Sequence, residues 1–351
     1  MKKQIKLGSE EKTTINHLDQ EFTTSHFSNI TDEECSKIKK LFFKKPDIQS
    51  VKKELYKIHF KNSYKISKVI DYYFSDLMNN AKLYTSKWSI NEFFESNDLI
   101  RFAVGKVENC SNFYPPENDI VTNIKAVLRL SPSNTSAKIS NYPIKSVKEI
   151  LKKYPSKNYY DYSCGWGVRM LGALASSSNY YGTDPNYELT EKLNELGNTY
   201  NKVNNIDAFF KIYTQGSEIF IPEIENKIDI AFSSPPYFDL EDYKIGEQSI
   251  KDRNYNQWLE EYWRETVKNI YKYLTPQGLL LLNIKSFEKY NLLEDMRDIC
   301  ISENFIYTES LELKNIQRIH LIKNNKSTNE QILVFKKDTY IETDLEDLSD
   351  W

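Results

Sequence analysis

The segment with the clearest chemical potential is Ser233-Ser234-Pro235-Pro236-Tyr237-Phe238, which follows an apolar run at 228–232 that is expected to be a buried strand. Two prolines at the end of a strand fix a rigid, extended loop whose carbonyl oxygens are not used by the sheet. The loop therefore presents the Ser234 hydroxyl, the Pro235 carbonyl and the Tyr237 ring together. These groups suit an extruded nucleic-acid base, with Tyr237 stacked on its ring and the two oxygens accepting hydrogen bonds from its amino group. A Pro-Pro turn with a packing tyrosine is the alternative.

A second group, Asp161-Tyr162-Ser163-Cys164-Gly165-Trp166-Gly167, lies between a predicted strand and a helix that starts near Met170. Glycines in such a turn let the backbone approach a ligand, and the start of the helix offers unpaired N–H groups. Glycines also occur here simply for close strand-to-helix packing, so the turn alone is a weak signal. Because Met170 stands where a third glycine completes the dinucleotide-binding pattern, a nicotinamide enzyme is disfavoured.

Asp184 and Pro185 end the next predicted strand, about twenty residues further on, where an acidic residue can bind a ribose. A carboxylate there can accept hydrogen bonds from both ribose hydroxyls of a nucleoside cofactor. The alternative is that Asp184 caps the helix beginning near Asn186. The preceding glycine turn favours the ribose interpretation.

The glycine turn, the acidic strand end and Ser234-Pro235-Pro236-Tyr237, in this order on successive strands, resemble the DNA amino-methyltransferase family over about residues 138–337. The resemblance implies the α/β class I methyltransferase (Rossmann-like) sheet, S-adenosylmethionine as cofactor, DNA as partner and no metal. It implies that the catalytic residues are Ser234, Pro235, Pro236 and Tyr237. The implied cofactor-binding residues are Tyr142, Pro143, Asp161, Ser163, Cys164, Gly165, Gly167, Asp184, Pro185, Gln215, Gly216, Ser217 and Ser233.

Within this resemblance, Cys164 is interpreted as a small packing residue and not as a nucleophile. Phe238 is expected to contact the substrate, and the loop that carries Lys244, Lys251 and Arg253 is expected to close over it. A serine before Pro-Pro-Tyr is more typical of enzymes that act on the 4-amino group of cytosine than on the 6-amino group of adenine. The motif order is less typical of the cytosine enzymes, so the target base stays open.

The expected mechanism is direct in-line methyl transfer to the amine, without metal or covalent intermediate, driven mainly by positioning. Three alternatives remain at this stage: an RNA methyltransferase, a protein-amide methyltransferase, and an inactive nucleic-acid-binding relative. A cognate restriction nuclease is a possible partner. The oligomeric state and the recognition sequence are not predicted.

Alternating helices and strands position these groups, which calls for a mostly parallel sheet with helices on both faces. The predicted strands are 158–161, 179–182, 209–213, 227–232 and 279–284, and the predicted helices are 144–154, 187–200 and 255–274. A C-terminal antiparallel hairpin is predicted from 316–322 and 331–336.

The 351 residues suggest three parts: a mainly helical basic N-terminal domain at 1–130, the methyltransferase domain at 131–337 and an acidic tail at 338–351. Although the net charge is −3, the stretch from Lys37 to Lys87 has thirteen lysines against four acidic residues. This block is interleaved with aromatics and predicts nucleic-acid contact, since the local field is what binds phosphates. A solvated lysine face over an ordinary core is the alternative.

The composition argues against several other classes of protein. The chain is 40% hydrophobic and 28% charged, and no apolar run approaches the length of a membrane span. The basic N-terminus lacks the apolar stretch of a secretory signal, so a cytoplasmic location is expected. Four cysteines far apart, without a C-x-x-C pair, predict neither a disulfide framework nor a zinc site.

Overall fold

The computed structural model describes residues 27–83, 86–110, 115, 117–130, 141–238, 241–242, 248–249, 253–285, 290–312 and 331–338. Lys244, Lys251, the predicted strand at 316–322 and all but the first residue of the tail lie outside them. The chain divides into two compact units, one formed by Met1–Lys44 with Ser86–Lys138 and the other by Lys45–Thr85 with Ile139–Trp351. Residues 45–85 thus belong with the sheet, which differs from the predicted boundary at 130.

In chain order, the helices are α1 (Asp32–Phe42), α2 (Ile48–Phe60), α3 (Ser67–Asn80), α4 (Ile90–Phe93), α5 (Asn97–Asn109), α6 (Ile120–Leu130), α7 (Ile144–Lys153), α8 (Val168–Ala175), α9 (Tyr187–Asn204), α10 (Tyr255–Trp258), α11 (Glu265–Tyr273) and α12 (Leu292–Ser302). A π-helical segment, Leu259–Arg264, joins α10 to α11, and a 3₁₀ turn covers Pro222–Ile224. The predicted helix 255–274 is therefore one continuous helical run with a π-helical centre. No helix in the described ranges has the length and apolar character needed to cross a membrane.

The strands are β1 (Lys82–Leu83), β2 (Asn158–Asp161), β3 (Asn179–Thr183), β4 (Phe210–Tyr213), β5 (Ile228–Ser233), β6 (Glu241–Asp242), β7 (Leu274–Ile284), β8 (Phe305–Glu312) and β9 (Gln331–Lys337). Seven of them form one sheet in the order β4-β3-β2-β5-β7-β9-β8, while β1 and β6 form a separate antiparallel pair. Strands β4, β3, β2, β5 and β7 are parallel, and β9 is antiparallel to both of its neighbours. The predicted C-terminal antiparallel pair is present, but the partner of β9 is β8.

Helices cover both faces of this sheet, as predicted. Successive side chains of β2 point to opposite faces of the sheet, so Tyr159 lies in one hydrophobic core and Tyr160 in the other. The first core contains apolar side chains of α2, α3, α7, α8 and α9. The second contains those of the π-helical segment, α11 and α12.

Helices α2 and α3 join the sheet unit because their apolar sides are buried in its first core. Their polar groups pair with α9 as well: His59 Nδ1 lies 2.8 Å from the Tyr200 hydroxyl, and Tyr73 donates to Thr199 at 2.9 Å. The buried Glu54 carboxylate accepts from the backbone N–H groups of Lys68 and Val69 and so ties α2 to the start of α3.

The other unit is helical in its described part and has its own core. Helices α1, α4, α5 and α6 bury Cys35, Phe42, Phe93, Ile100 and Ile124 among others. Capping boxes start two of these helices, with Thr31 paired to Glu34 and Ser89 paired to Glu92.

Candidate active site

The predicted cofactor and catalytic motifs lie at the carboxyl edge of the sheet. Strand β2 lies beside β5, and the chain leaves β2 toward β3 and β4 but leaves β5 toward β7. Such a reversal opens a crevice where α/β proteins bind ligands. The two motifs also touch, because Ser233 Oγ donates to the Ser163 carbonyl oxygen at 3.2 Å.

The two glycines of the turn have different structural roles. Both have positive φ, +52° at Gly165 and +73° at Gly167, which favours glycine. A Cβ on Gly167 would lie 2.8 Å from Leu193 Cδ2, so this glycine is also required by the packing of α9. A Cβ on Gly165 would meet nothing closer than Arg169 Nη2 at 3.7 Å. The backbone at Gly165 is therefore the part of the turn that a ligand can approach.

Asp161 forms a buried ion pair that the sequence did not predict. Arg169 Nε lies 3.1 and 3.0 Å from the two Asp161 oxygens, and Tyr180 donates to Oδ2 at 2.9 Å. Burial lowers the pKa of Arg169, but the Asp161 carboxylate outweighs this effect, and the guanidinium stays charged. The Asp161 carboxylate also accepts from Ser163 N at 3.3 Å, so its oxygens are already used within the turn. Asp161 therefore positions the glycine turn, and its predicted contact with a cofactor stays a prediction.

Tyr142, which was predicted with Pro143 to bind the cofactor, packs beside the end of β5. The Tyr142 ring packs edge-on against Phe232 with centroids 5.7 Å apart, and the Arg169 guanidinium lies 5.7 Å from its centre. Pro143 stands immediately before α7 as its N-cap. The aromatic residue is thus placed directly beside the strand that leads into Ser233.

Asp184 is half-buried at the end of β3 and lies against the glycine turn. Its Oδ1 accepts from Asn186 N at 3.1 Å, and the Gly165 backbone also bonds to the carboxyl group. Burial raises the pKa of Asp184 to about 7, although these two backbone bonds oppose the rise. The N-cap of α9 is Asn186, whose side chain accepts from Leu189 N at 3.1 Å. Asn186 is therefore the residue that caps α9, and Asp184, which precedes it by two positions, is not needed for that role.

Cys164 packs against β3 and does not face the crevice. The side chain is buried, and a Cβ on Gly182 would lie 2.5 Å from its sulfur. Burial raises the pKa of the thiol well above its ordinary value, which keeps it neutral. This placement fits the packing role that the sequence analysis gave to Cys164.

The loop after β4 holds the predicted residues Gln215, Gly216 and Ser217. Ser217 is buried: its hydroxyl lies 2.8 Å from Thr266 Oγ1, and its carbonyl accepts from Asn269 at 3.1 Å. Gln215 donates to the Ile219 carbonyl at 2.9 Å. These contacts fix the loop to α11 and to itself, so its side chains support the crevice wall.

The sequence did not single out Glu218, the next residue. Its Oε2 is buried and has no hydrogen-bond partner in the described part of the chain, while its Oε1 lies 3.8 Å from Arg253 Nη1. Arg253 also pairs with Glu261 at 3.2 Å and donates to the Ser249 carbonyl at 2.7 Å. Arg253, which was expected to contact substrate, lies beside the β4 loop and pairs with these carboxylates. An acidic residue following Gln-Gly-Ser was the available signal for Glu218.

The Ser234–Tyr237 loop is fixed by Asn283, a buried residue near the end of β7 that sequence reasoning missed. Asn283 Nδ2 donates to Ser234 Oγ at 2.7 Å and lies 3.4 Å from the Tyr237 hydroxyl oxygen. The Tyr237 hydroxyl donates to the Asn283 carbonyl at 3.3 Å. A single polar residue inside the apolar run Leu279–Ile284 was the signal, because such residues are buried only when hydrogen-bonded. Ser234, Pro236 and Tyr237 are half-buried, whereas Pro235 is buried.

Comparisons with known proteins find methyltransferases among solved structures. A TehB-like SAM-dependent methyltransferase from Corynebacterium glutamicum is 13% identical over 55% of this chain and 86% of that chain, with a TM-score of 0.37. TrmN from Thermus thermophilus is 13% identical over 56% and 48%, with a TM-score of 0.38. A putative RNA methyltransferase from Pyrococcus horikoshii is 14% identical over 55% and 82%, with a TM-score of 0.36. No protein-family model and no curated protein sequence matches the chain.

The seven-stranded mixed sheet with helices on both faces fits the α/β, Rossmann-like fold that the sequence resemblance implied. In this sheet β9 lies antiparallel between β7 and β8. Identities this low do not extend to substrate, so chemistry must be judged from the site.

Phe238, which was expected to contact the substrate, lies at the end of the Ser234–Tyr237 loop. Phe238 is buried, with its ring centroid 5.4 Å from Tyr255, 5.7 Å from Trp258 and 5.2 Å from Tyr290. Its φ of +49° is unusual for a bulky residue and persists only where surrounding contacts over-determine it. Phe238 therefore anchors the end of the Ser234–Tyr237 loop in the second core.

Proposed function

We propose that this protein transfers a methyl group from S-adenosylmethionine to the exocyclic amino group of a base in DNA, with cytosine favoured over adenine. The observation that carries the proposal is the group formed by Ser234, Tyr237 and Asn283 beside the glycine turn. It places a fixed oxygen acceptor and an aromatic ring next to a crevice suited to a nucleoside.

The cofactor side of the crevice fits S-adenosylmethionine in three respects. Gly165 leaves room for a ligand beside the backbone, and Asp184 supplies a carboxyl group for the ribose hydroxyls. Glu218 Oε2 is a buried acceptor without a hydrogen-bond partner in the described ranges, and such an atom suits a donor on a bound molecule. When bound, S-adenosylmethionine supplies an electrophilic methyl group on a positively charged sulfur.

Ser234 and Tyr237 can direct an aromatic amine toward that methyl group. The amine is a poor nucleophile because its lone pair is delocalised into the base, and acceptors for its hydrogens help to localise the pair on nitrogen. Asn283 uses one lone pair of Ser234 Oγ and leaves a second for the amine. With the Pro235 carbonyl as the other acceptor and Tyr237 against the ring, the chain holds a near-attack geometry, and the proton leaves to solvent.

Local charge supports a polyanionic partner. The lysine-rich stretch from Lys37 to Lys87 has an excess of nine positive charges, although it is divided between the two units. Lysines at such density favour phosphate contacts with a salt-dependent affinity. An RNA methyltransferase is the second candidate, since the amine-directing group would serve an unpaired RNA base equally well.

The test is methylation by the purified protein with tritiated cofactor on duplex DNA, RNA and an unstructured peptide. Nucleoside digestion followed by mass spectrometry should find N4-methylcytosine, or N6-methyladenine if the minor alternative holds. Ser234→Ala should abolish most incorporation while cofactor affinity is retained. Label found in RNA or peptide alone would reassign the substrate, and full activity of Ser234→Ala would contradict the proposed role of the loop.

A further inference from the structure

The sheet-containing unit has a surface, apart from the candidate active site, on which large aromatic rings are exposed to solvent. Tyr56, Phe60 and Tyr64, at the end of α2 and just beyond it, are 44%, 51% and 43% exposed. The rings of Tyr56 and Phe60 lie 4.8 Å apart and are tilted by 42°. Single exposed apolar residues are ordinary, but a group of large exposed rings indicates a binding surface.

Lysines surround these rings, and acidic residues offset little of their charge. Lys53, Lys57, Lys61 and Lys65 are exposed on the same helix and the following loop, and Lys145 Nζ from α7 lies 5.8 Å from the Tyr64 ring centre. We name these five lysines with Tyr56, Phe60 and Tyr64 the aromatic–lysine face.

The acids near this face neutralise little of its charge. Glu54, the acidic residue within α2, is buried and occupied by the backbone of α3, so it offsets no surface lysine. On α7, Glu149 lies 3.6 Å from Lys145 in an exposed pair. Glu149 offsets Lys145, and the other four lysines keep the face cationic.

The face lies away from the candidate active site within the same unit. Helix α9 begins beside Asp184, and His59 of α2 contacts Tyr200 near the other end of that helix. Tyr200 stands thirteen positions after Tyr187, which corresponds to about 20 Å of helix. A base bound at Ser234 therefore cannot occupy this face, and whatever binds here is a second contact.

We propose that the aromatic–lysine face binds an unpaired strand of nucleic acid, with bases stacked on Tyr56 and Phe60 and phosphates held by the lysines. Duplex DNA would contact the lysines through its phosphates, but its bases are stacked within the helix and would not stack on either ring. An acidic peptide would likewise leave the rings without partners. Aromatic rings interleaved with positively charged side chains are the arrangement by which proteins bind single strands without sequence preference. The face takes no part in methyl transfer, but it deepens the proposed function by naming an unpaired strand as a partner.

The test is fluorescence anisotropy of the full chain with labelled oligothymidylate, oligouridylate and a duplex of equal length, over a series of salt concentrations. Tyr56→Ser/Phe60→Ser should weaken binding of the single strands by about tenfold or more without changing the salt dependence. Lys57→Gln/Lys61→Gln should instead reduce the log–log salt slope by about 1.4, because each single-strand phosphate contact contributes about 0.7. The two single-strand probes distinguish DNA from RNA.

Matched control variants lie elsewhere on the same unit. Tyr307, 42% exposed on β8, provides a ring of similar exposure, and Tyr307→Ser should leave strand affinity unchanged. Lys272→Gln/Lys336→Gln removes two exposed lysines outside the face and should leave the salt slope unchanged. Thermal unfolding of every variant checks that the fold is retained.

Two results would overturn the inference. If the duplex binds as tightly as the single strands and the double ring variant has no effect, the face is only a phosphate-binding surface. If the control variants weaken strand binding as much as the face variants do, the effect is not local. Cofactor affinity and methyl transfer are measured separately, so a protein that binds strands but transfers no methyl group would contradict the proposed function and leave the face intact.

Discussion

Replacing Asn283 with leucine tests whether the Ser234 hydroxyl is positioned for chemistry or only packed. Leucine keeps the approximate volume but removes the donor 2.7 Å from Ser234 Oγ. The 3.4 Å contact to the Tyr237 hydroxyl is too long to contribute much. A neutral hydrogen bond contributes about 0.5–1.5 kcal/mol net, and an unsatisfied partner costs about 1–3 kcal/mol. Because Ser234 is half-buried and water can replace part of the bond, we expect a loss of about 1–2 kcal/mol.

If that energy is expressed in the transition state, the methyl-transfer rate falls by about 5- to 30-fold. Single-turnover incorporation of tritiated methyl at saturating cofactor and substrate measures this rate directly. Cofactor affinity, measured by calorimetry, should not change, since Asn283 contacts the amine side of the crevice. In the double variant with Ser234→Ala, Asn283→Leu should cause no further loss, because the two residues act through one hydrogen bond.

Asn204→Leu is the matched control, because Asn204 is also buried and donates one hydrogen bond, to the Tyr200 carbonyl at 2.9 Å. It lies at the far end of α9, so the control can change stability but should leave the rate unaltered. A full methyl-transfer rate in Asn283→Leu would refute the positioning argument. So would additive losses in the double variant, which would assign Asn283 a role independent of Ser234.

Three other outcomes follow from the site. Affinity for the cofactor should rise as pH increases through about 7, where Asp184 ionises and becomes the better acceptor for ribose hydroxyls; titration calorimetry should find this dependence lost in Asp184→Asn. Gly167→Ala should reduce stability in chemical denaturation more than Gly165→Ala, because only the Cβ at 167 meets a neighbour at 2.8 Å, and Gly165→Ala should instead weaken cofactor binding. Tyr237→Ala should weaken base capture by about 1–3 kcal/mol, read by 2-aminopurine fluorescence, whereas Tyr237→Phe should be mild.

Local pattern was sufficient to predict much of the sheet. The short runs that end in Asp161 and Ser233, and the run that leads into Asp184, are strands in the structure. Because parallel strands share one carboxyl edge, the residues that follow them had to converge even though they are far apart in sequence. The glycine turn, the acidic strand end and the Pro-Pro loop meet for that reason.

Long-range partners were not predictable in the same way. The lysine-rich helices α2 and α3 look like part of one basic N-terminal domain, but their apolar sides fit the core against α9. The partner of β9 is β8, a strand that the sequence left unassigned. Asn283 and Arg169 were missed because each has its role only through a residue brought to it by the fold. Burial of a polar side chain inside an apolar run is a signal that a partner exists, but it does not name the partner.

Two acidic residues at neighbouring strand ends illustrate how the fold assigns different roles to similar side chains. From sequence, Asp161 and Asp184 are equivalent candidates for a cofactor contact. Arg169 neutralises Asp161 within the turn, and its charge also lowers the pKa of Asp184, against the rise that the Asp161 carboxylate causes. The Asp161–Arg169 ion pair therefore limits how far the Asp161 carboxylate raises the pKa of Asp184. Burial raises the pKa of Asp184 to about 7, so its ionisation changes near neutral pH, and a pH-dependent cofactor affinity would report on that residue.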